Sequence, residues 1–364
     1  MEIPSLIAVM LTIGVWSSVF AADNLVDLLL TSSTHQKALE DLDSTSSESK
    51  VALVLPLLRS LNEQNVKVHE FKNTRADLAV DAIKHMGHEV IPQLGALIVS
   101  SDEKNNIGSY AALAMSEFQK AAIPSLTRII VQTTDIHVFR QAAGALVGIQ
   151  NPSDKELGIP ALIRSFENKD WRIRVAAPQY FYRFGIGNRA IPYLTPKLKS
   201  ADIGTVCAAI RAIGWLRKDG KEALPILLPF LNDKRSEERF NFSRRESISI
   251  DDEAASSDMG IANYSLIELS ATIAILDIDP KNDMALVKAI ELMDRKDYRV
   301  RRAIANSLFK VDRPEAIPVL MRHFNDPDQE TGFIVGNYIL NTHLLPKKER
   351  DKIFQSIKKV YFFH

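Results

Sequence analysis

Ala190-Ile191-Pro192-Tyr193-Leu194 is the stretch whose reading decides the fold, because it recurs down the chain. Its relatives are Val54-Leu55-Pro56-Leu57-Leu58, Val90-Ile91-Pro92-Gln93-Leu94, Ala122-Ile123-Pro124-Ser125-Leu126, Gly158-Ile159-Pro160-Ala161-Leu162, Ala223-Leu224-Pro225-Ile226-Leu227 and Ala316-Ile317-Pro318-Val319-Leu320. From Pro56 to Pro225 the prolines step by 36, 32, 36, 32 and 33 residues. A regular period of that size specifies stacked helical hairpins, none of which can bury its apolar flank alone. The expected fold class is therefore all-α: an α/α superhelix, or α-solenoid, of about eight helix-turn-helix repeats with capping helices.

Within each phrase, proline suits the first turn of a helix, where its missing N–H is not needed and its φ is already helical. Apolar residues then continue at helical spacing, as in Ile191, Leu194 and Leu198, giving helix A one buried stripe. Asp170, Asp202 and Asp297 stand where they can cap the helix that follows. That helix, B, is rich in alanine, as in Cys207-Ala208-Ala209-Ile210-Arg211-Ala212-Ile213 and Arg302-Ala303-Ile304-Ala305. Small side chains let B pack against its own A helix and the next repeat together. Gly148, Gly185-Ile186-Gly187 and Gly214 are read as the ends of B helices. Residues 25–43 read as an opening cap helix and 346–361 as a closing one.

Asp170-Trp171-Arg172-Ile173-Arg174-Val175-Ala176-Ala177 and Asp297-Tyr298-Arg299-Val300-Arg301-Arg302-Ala303-Ile304 carry a family resemblance. They resemble the HEAT repeat, in particular the bacterial type similar to phycobilisome-lyase HEAT-like repeats, over roughly residues 48–342. The resemblance implies a ladder of Asp and Arg side chains bonding across repeats. The matching residues are Asp170, Arg174, Asp297, Arg301 and Arg140, with Asp77, Ser109 and Cys207 in the arginine's place elsewhere. Such repeats serve scaffolds, lyases, hydroxylases and glycosylases alike, so the likeness speaks to fold rather than function.

One interval breaks the rhythm. Pro225 to Pro318 spans 93 residues, whereas two periods of about 33 need about 66. The excess reads as a charged insertion at about 232–258, between helices A and B of one repeat, with helical pattern resuming at Met259. Insertions of this kind go to surface loops, as a solvated loop or as a docking edge.

The 45 basic and 45 acidic residues cancel, which argues against a nucleic-acid binder dependent on phosphate neutralisation. A single cysteine, Cys207, excludes an internal disulfide and a cysteine-based zinc site, and its helical core spacing reads as a buried thiol. Ile3 to Phe20 is almost wholly apolar and leads into Ala21-Ala22-Asp23. Residues 1–22 thus read as a signal peptide, with an uncleaved membrane anchor as the alternative, since Glu2 stands where a positive charge is usual. The expected location is periplasmic or secreted, with membrane contact only if that segment stays uncleaved. Residues 23–364 form the solenoid.

No catalytic constellation stands out: there is no nucleophile elbow, Gly-rich phosphate loop or zinc-protease helix. His69-Glu70 and His88-Glu89 invite comparison with deoxyhypusine hydroxylases, HEAT proteins binding two irons through four His-Glu pairs. Only two pairs occur here, and they fall outside the register of the B helices. No catalytic residue, metal ligand or cofactor is assigned. Aromatic and arginine side chains dominate binding hot spots, and they concentrate at Trp171, Arg172, Tyr180, Tyr182 and Arg183, with Pro178 expected to kink the helix carrying them. Arg299 and Arg302 add a second group. The reading is an exported, non-catalytic scaffold binding a protein or peptide partner on its concave helix-B face, without nucleic acid. The alternative is an enzyme, lyase-like or metal-dependent, with a site in the concave groove.

Overall fold

The computed structural model describes residues 24–63, 74–101, 106–236, 266–311, 313–348 and 350–352. Every regular element among them is helical, without a strand, and none is long and apolar enough to cross a membrane. The chain is an all-α array of helical hairpins, divided into two compact bodies, Met1–Ser165 and Phe166–His364. The signal-peptide reading of residues 1–22, most of the insertion and most of the closing cap lie outside the described residues.

The first body opens with a short helix at 24–29 and α1 (His35–Asp43). The expected single cap helix over 25–43 is thus divided. Thr34 Oγ1 donates to the Leu28 carbonyl at 2.7 Å, and the His35 ring Nδ1 lies 2.6 Å from the Leu29 carbonyl, so side chains take over the carbonyls at the break. Three hairpins follow: α2 (Ser47–Glu63) with α3 (Thr74–His85), α4 (Ile91–Val99) with α5 (Ile107–Ser116), and α6 (Ile123–Gln132) with α7 (Ile136–Gly148). A short α8 (Pro152–Glu156) leads to α9 (Ile159–Arg164). Leu94, Ile98, Leu126, Ile130, Ala142 and Leu146 line the core, and α5 packs on both α4 and α7.

The second body begins with α10 (Trp171–Ala176) and α11 (Gln179–Phe184). Pro178 separates these helices completely rather than kinking one, because its ring displaces the carbonyl a turn earlier and offers no N–H. Four hairpins follow. They pair α12 (Ile191–Leu194) with α13 (Ile203–Trp215), α14 (Leu224–Leu227) with α15 (Ile267–Ile278), α16 (Asp283–Met293) with α17 (Tyr298–Val311), and α18 (Ile317–Arg322) with α19 (Gln329–Asn341).

Prolines 92, 124, 160, 192, 225 and 318 all sit in the first turn of an A helix, as their fixed φ requires. Pro56 does not: it lies inside α2. That helix starts earlier because Ser46 Oγ accepts the Ser49 N–H at 3.3 Å, and the buried Leu53, Val54, Leu57 and Leu58 carry the apolar stripe past the proline. Gly214 also departs from expectation. It does not end its helix, which runs on to Trp215. A Cβ there would stand 2.7 Å from the Cα and Cβ of Ala274, so glycine is what lets α13 and α15 touch backbone to backbone. Cys207 is buried in α13, as its spacing implies.

The stem of the insertion is closed. After the A helix ends near Asn232, Ser236 Oγ accepts the Ile267 N–H at 2.9 Å, and Lys234 Nζ lies 2.6 Å from Glu268 Oε2. The fully buried Glu268 also has Arg295 at 3.7 Å and Lys288 at 3.9 Å. Three cations offset the desolvation of one carboxylate, which would otherwise be prohibitive in a helix buried along its length.

Candidate functional site

Each predicted cap forms. Asp170 Oδ1 accepts the Arg172 N–H at 2.8 Å, Asp202 Oδ2 that of Thr205 at 2.7 Å and Asp297 Oδ1 that of Arg299 at 2.9 Å. The same carboxylates take up the arginine side chain two residues on. Arg172 Nη2 donates to Asp170 at 2.8 Å and Arg299 Nη2 to Asp297 at 2.8 Å. Arg172 and Arg299 are thereby drawn into helix capping, with less left for a ligand.

The ladder residues behave unequally. Arg174 Nη1 donates to the carbonyls of Asn168 and Lys169, at 2.6 and 3.1 Å, within its own turn. Arg140 is exposed on α7. Arg301 makes a cross-repeat bond: Nε and Nη2 grip Asp326 at 2.7 and 2.6 Å, while Nη1 holds the carbonyls of Arg295 and Lys296 at 2.8 and 2.9 Å. It ties the turn between α16 and α17 to the turn before α19. The paired carboxylate raises the Arg301 pKa above its ordinary value. Burial pushes Asp326 upward, but bonds from Arg301, the Asp328 N–H and His323 outweigh it, so Asp326 lies below the usual carboxylate range. Asp328 is depressed likewise, burial being outweighed by Arg302 and Thr331.

Of the aromatic group near Pro178, Tyr180 is buried and Trp171 half-buried, whereas Tyr182 is 51% exposed. Arg183 stands 5.8 Å from the Tyr180 ring centroid and is exposed. Tyr182 belongs to a stack that the sequence did not reveal. Arg217 lies 5.0 Å from its ring centroid, Trp215 is its ring neighbour at 6.5 Å, and Arg211 lies 5.9 Å from the Trp215 ring. This stack borders a cavity of about 610 Å³ at the C-terminal ends of α11, α13 and α15, lined by Tyr182, Gly187, Arg217, Lys218, Asp219 and Asp277 among others. A second cavity, of about 650 Å³, lies in the first body against α4 and α6, near Val99, Arg128, Gln132 and Asp135.

The other arginine pair opens onto an aromatic face. On α17, Tyr298, Arg302 and Phe309 follow at four and then seven residues, one side of a helix. Tyr298 is 38% exposed and Phe309 42%, and Phe333 on the adjoining α19 is 52% exposed. Arg302 lies 5.2 Å from the Tyr298 ring centroid and joins α17 to α19 through Asp328 at 2.8 Å and Glu330 at 2.6 Å. Phe309 and Phe333 were not singled out from sequence, although helical spacing from Arg302 would have found the former.

Histidines take structural positions. His85 Nε2 lies 2.8 Å from Asp43 in α1, and the ring of His88 meets Phe118 edge-on at 5.9 Å. His69 and Glu70 lie outside the described residues. No group of three or more His, Cys, Asp or Glu is arranged to hold a metal ion among the described residues.

No protein-family model matches the sequence, and no curated protein matches it. The fold is similar to that of several solved helical proteins. The complex of CpcE and CpcF of phycocyanin lyase from Nostoc sp. matches at 17% identity and TM-score 0.41, covering 74% of this chain and 94% of that one. An engineered protein matches at 17% identity and TM-score 0.34, covering 93% and 95%. Kap95p, solved with RanGDP, matches at 13% identity and TM-score 0.39, where 92% of this chain spans 45% of the longer one.

Proposed function

We propose that this chain is an exported, non-catalytic scaffold that binds a protein or peptide partner on the exposed side of its B helices. The observation that carries the reading is the face of α17 and α19, where Tyr298, Phe309 and Phe333 stand in solvent beside the Arg302–Glu330 pair. Aromatic side chains framed by charged groups supply large contact area at low entropic cost, which is how binding energy concentrates in a few residues. Export rests on the apolar run Ile3 to Phe20 and the small residues after it.

The test is a pulldown from the envelope fraction with the full chain and with Phe309→Ala/Phe333→Ala. A specific protein captured by the parent and lost from the variant, at unchanged melting temperature, supports the reading. Undiminished capture would remove this face from the interface. Stoichiometric iron or zinc in the purified protein would favour the enzyme instead, and a secreted product retaining residues 1–22 would refute processing.

A further inference from the structure

Two residues other than glycine adopt left-handed backbone among the described residues: Gln119, at φ 49°, and Arg217, at φ 52°. Both stand just past the end of a B helix, at the entry to the 3-10 turn that leads into the next A helix. Glycine or asparagine normally takes such a place, because a Cβ there is strained. Gln119 recovers the cost locally. Its amide donates to the Ser116 carbonyl at 3.0 Å and its Oε1 accepts the Gln150 N–H at 2.8 Å.

Arg217 recovers nothing comparable. Among the described residues its guanidinium makes no hydrogen bond and no ion pair. It stands over the Tyr182 ring, at the edge of the 610 Å³ cavity. Strain retained without an internal return is a pointer to function.

The surroundings give the ligand's sign. Asp277 in the cavity wall is already matched by Arg211 at 3.3 Å and Lys310 at 3.7 Å. Arg217 and Lys218 are exposed and neither is within ion-pair distance of a carboxylate among the described residues, Asp219 included. The charged lining itself is two cations, Arg217 and Lys218, and two carboxylates, Asp219 and Asp277, and Asp277 is the one already held by Arg211 and Lys310 from outside the lining. Trp215 Nε1 and Arg211 Nε, behind Tyr182, are buried donors without an acceptor among the described residues, so the stack is rich in donors throughout. A guanidinium held over an aromatic ring keeps its outer N–H groups for a planar carboxylate.

We infer that this cavity binds an acidic peptide segment, with Arg217 and Lys218 holding a glutamate or aspartate carboxylate and Tyr182 supporting the neighbouring apolar side chain. The site is separate from the α17–α19 face and does not depend on it.

The test uses the full chain and a fluorescein-labelled, C-terminally amidated peptide of glutamates flanking one phenylalanine, read by anisotropy at low and moderate salt. Arg217→Gly is the decisive variant. Glycine relieves the left-handed strain, so the melting temperature should hold or rise, while affinity should fall about tenfold or more, as for the loss of one charge-assisted contact. The glutamine analogue of the peptide should bind as weakly as the variant does. Parent chain that ignores the acidic peptide, or equal affinity in Arg217→Gly, would overturn the proposal. So would a melting temperature that drops in step with affinity, which would mark Arg217 as structural. An equally tight peptide carrying glutamine would overturn the carboxylate assignment. Phe309→Ala/Phe333→Ala should leave this affinity unchanged, so the two sites fail separately.

Discussion

Removing Asp326 should free the last hairpin from the one before it. The Arg301 guanidinium and the Asp326 carboxylate are both buried, joined at 2.6 and 2.7 Å. At 2.6 Å and an effective dielectric near 20, their attraction is about 6 kcal/mol, set against the desolvation of both ions. Net worth is therefore modest, but Asp326→Ala leaves a buried guanidinium without its carboxylate, which costs about 3–5 kcal/mol. A repeat array does not melt as one unit, so the loss should appear locally. Amide exchange over α18 and α19 should accelerate about a hundredfold or more, the equivalent of about 3 kcal/mol, while α4 to α7 keep their rates. Arg322→Ala, which breaks an exposed pair with Asp294 at 3.1 Å, should cost no more than about 1 kcal/mol. The pH dependence has a definite sign. Asp326, Asp328 and Asp294 are all held below the ordinary carboxylate pKa. Their contribution is therefore complete above the unfolded value of about 4 and is lost as pH falls through the lower folded values. Exchange over α18–α19 in Asp326→Ala equal to the parent's would refute the reasoning.

Three further outcomes follow from packing and capping. Gly214→Leu should destabilise the chain by at least about 1–3 kcal/mol in thermal or denaturant unfolding, since even its Cβ would meet the Ala274 backbone at 2.7 Å; an unchanged transition would deny the close approach. Asp202→Ala should cost about 1 kcal/mol, because its carboxylate takes both the N–H and the hydroxyl of Thr205, at 2.7 and 2.8 Å. Asp202→Asn or Asp202→Ser should restore most of that loss. Ser236→Ala should raise amide exchange at Ile267 and the first turn of α15, since Ser236 Oγ is the acceptor for that N–H; unaltered exchange would mean that the insertion stem closes by other contacts.

The period of the Ile-Pro phrase was enough to read the hairpins, because one proline per helix start and one apolar stripe per helix are local signals. Pro56 escaped that logic because the preceding serine cap, not the proline, sets where α2 begins. Gly214 misled for the opposite reason: a glycine near a helix end reads as a stop, whereas its use here depends on Ala274, which lies 60 residues away in sequence. The site was legible in part. Tyr182 stood out as an aromatic beside arginines, but its partner Arg217 lies in the next repeat, and left-handed backbone leaves no mark when the residue is arginine. The Arg299 and Arg172 side chains looked available in sequence and are occupied by their own capping aspartates. Arg301 was read as a ladder residue, yet its acceptor Asp326 was not, because the bond crosses from one repeat to the turn of the next.

The central claim is that each hairpin buries its apolar flank against its neighbours within a body. Hydrogen exchange over α15, Ile267–Ile278, tests it most directly, since nearly every residue of that helix is buried between α13, α16 and α17. Its amides should fall in the slowest class of the whole chain, together with those of α13, and should quicken in both helices at once in Gly214→Leu. Exchange in α15 as rapid as that of an isolated exposed helix, or a response confined to α13 alone, would contradict it.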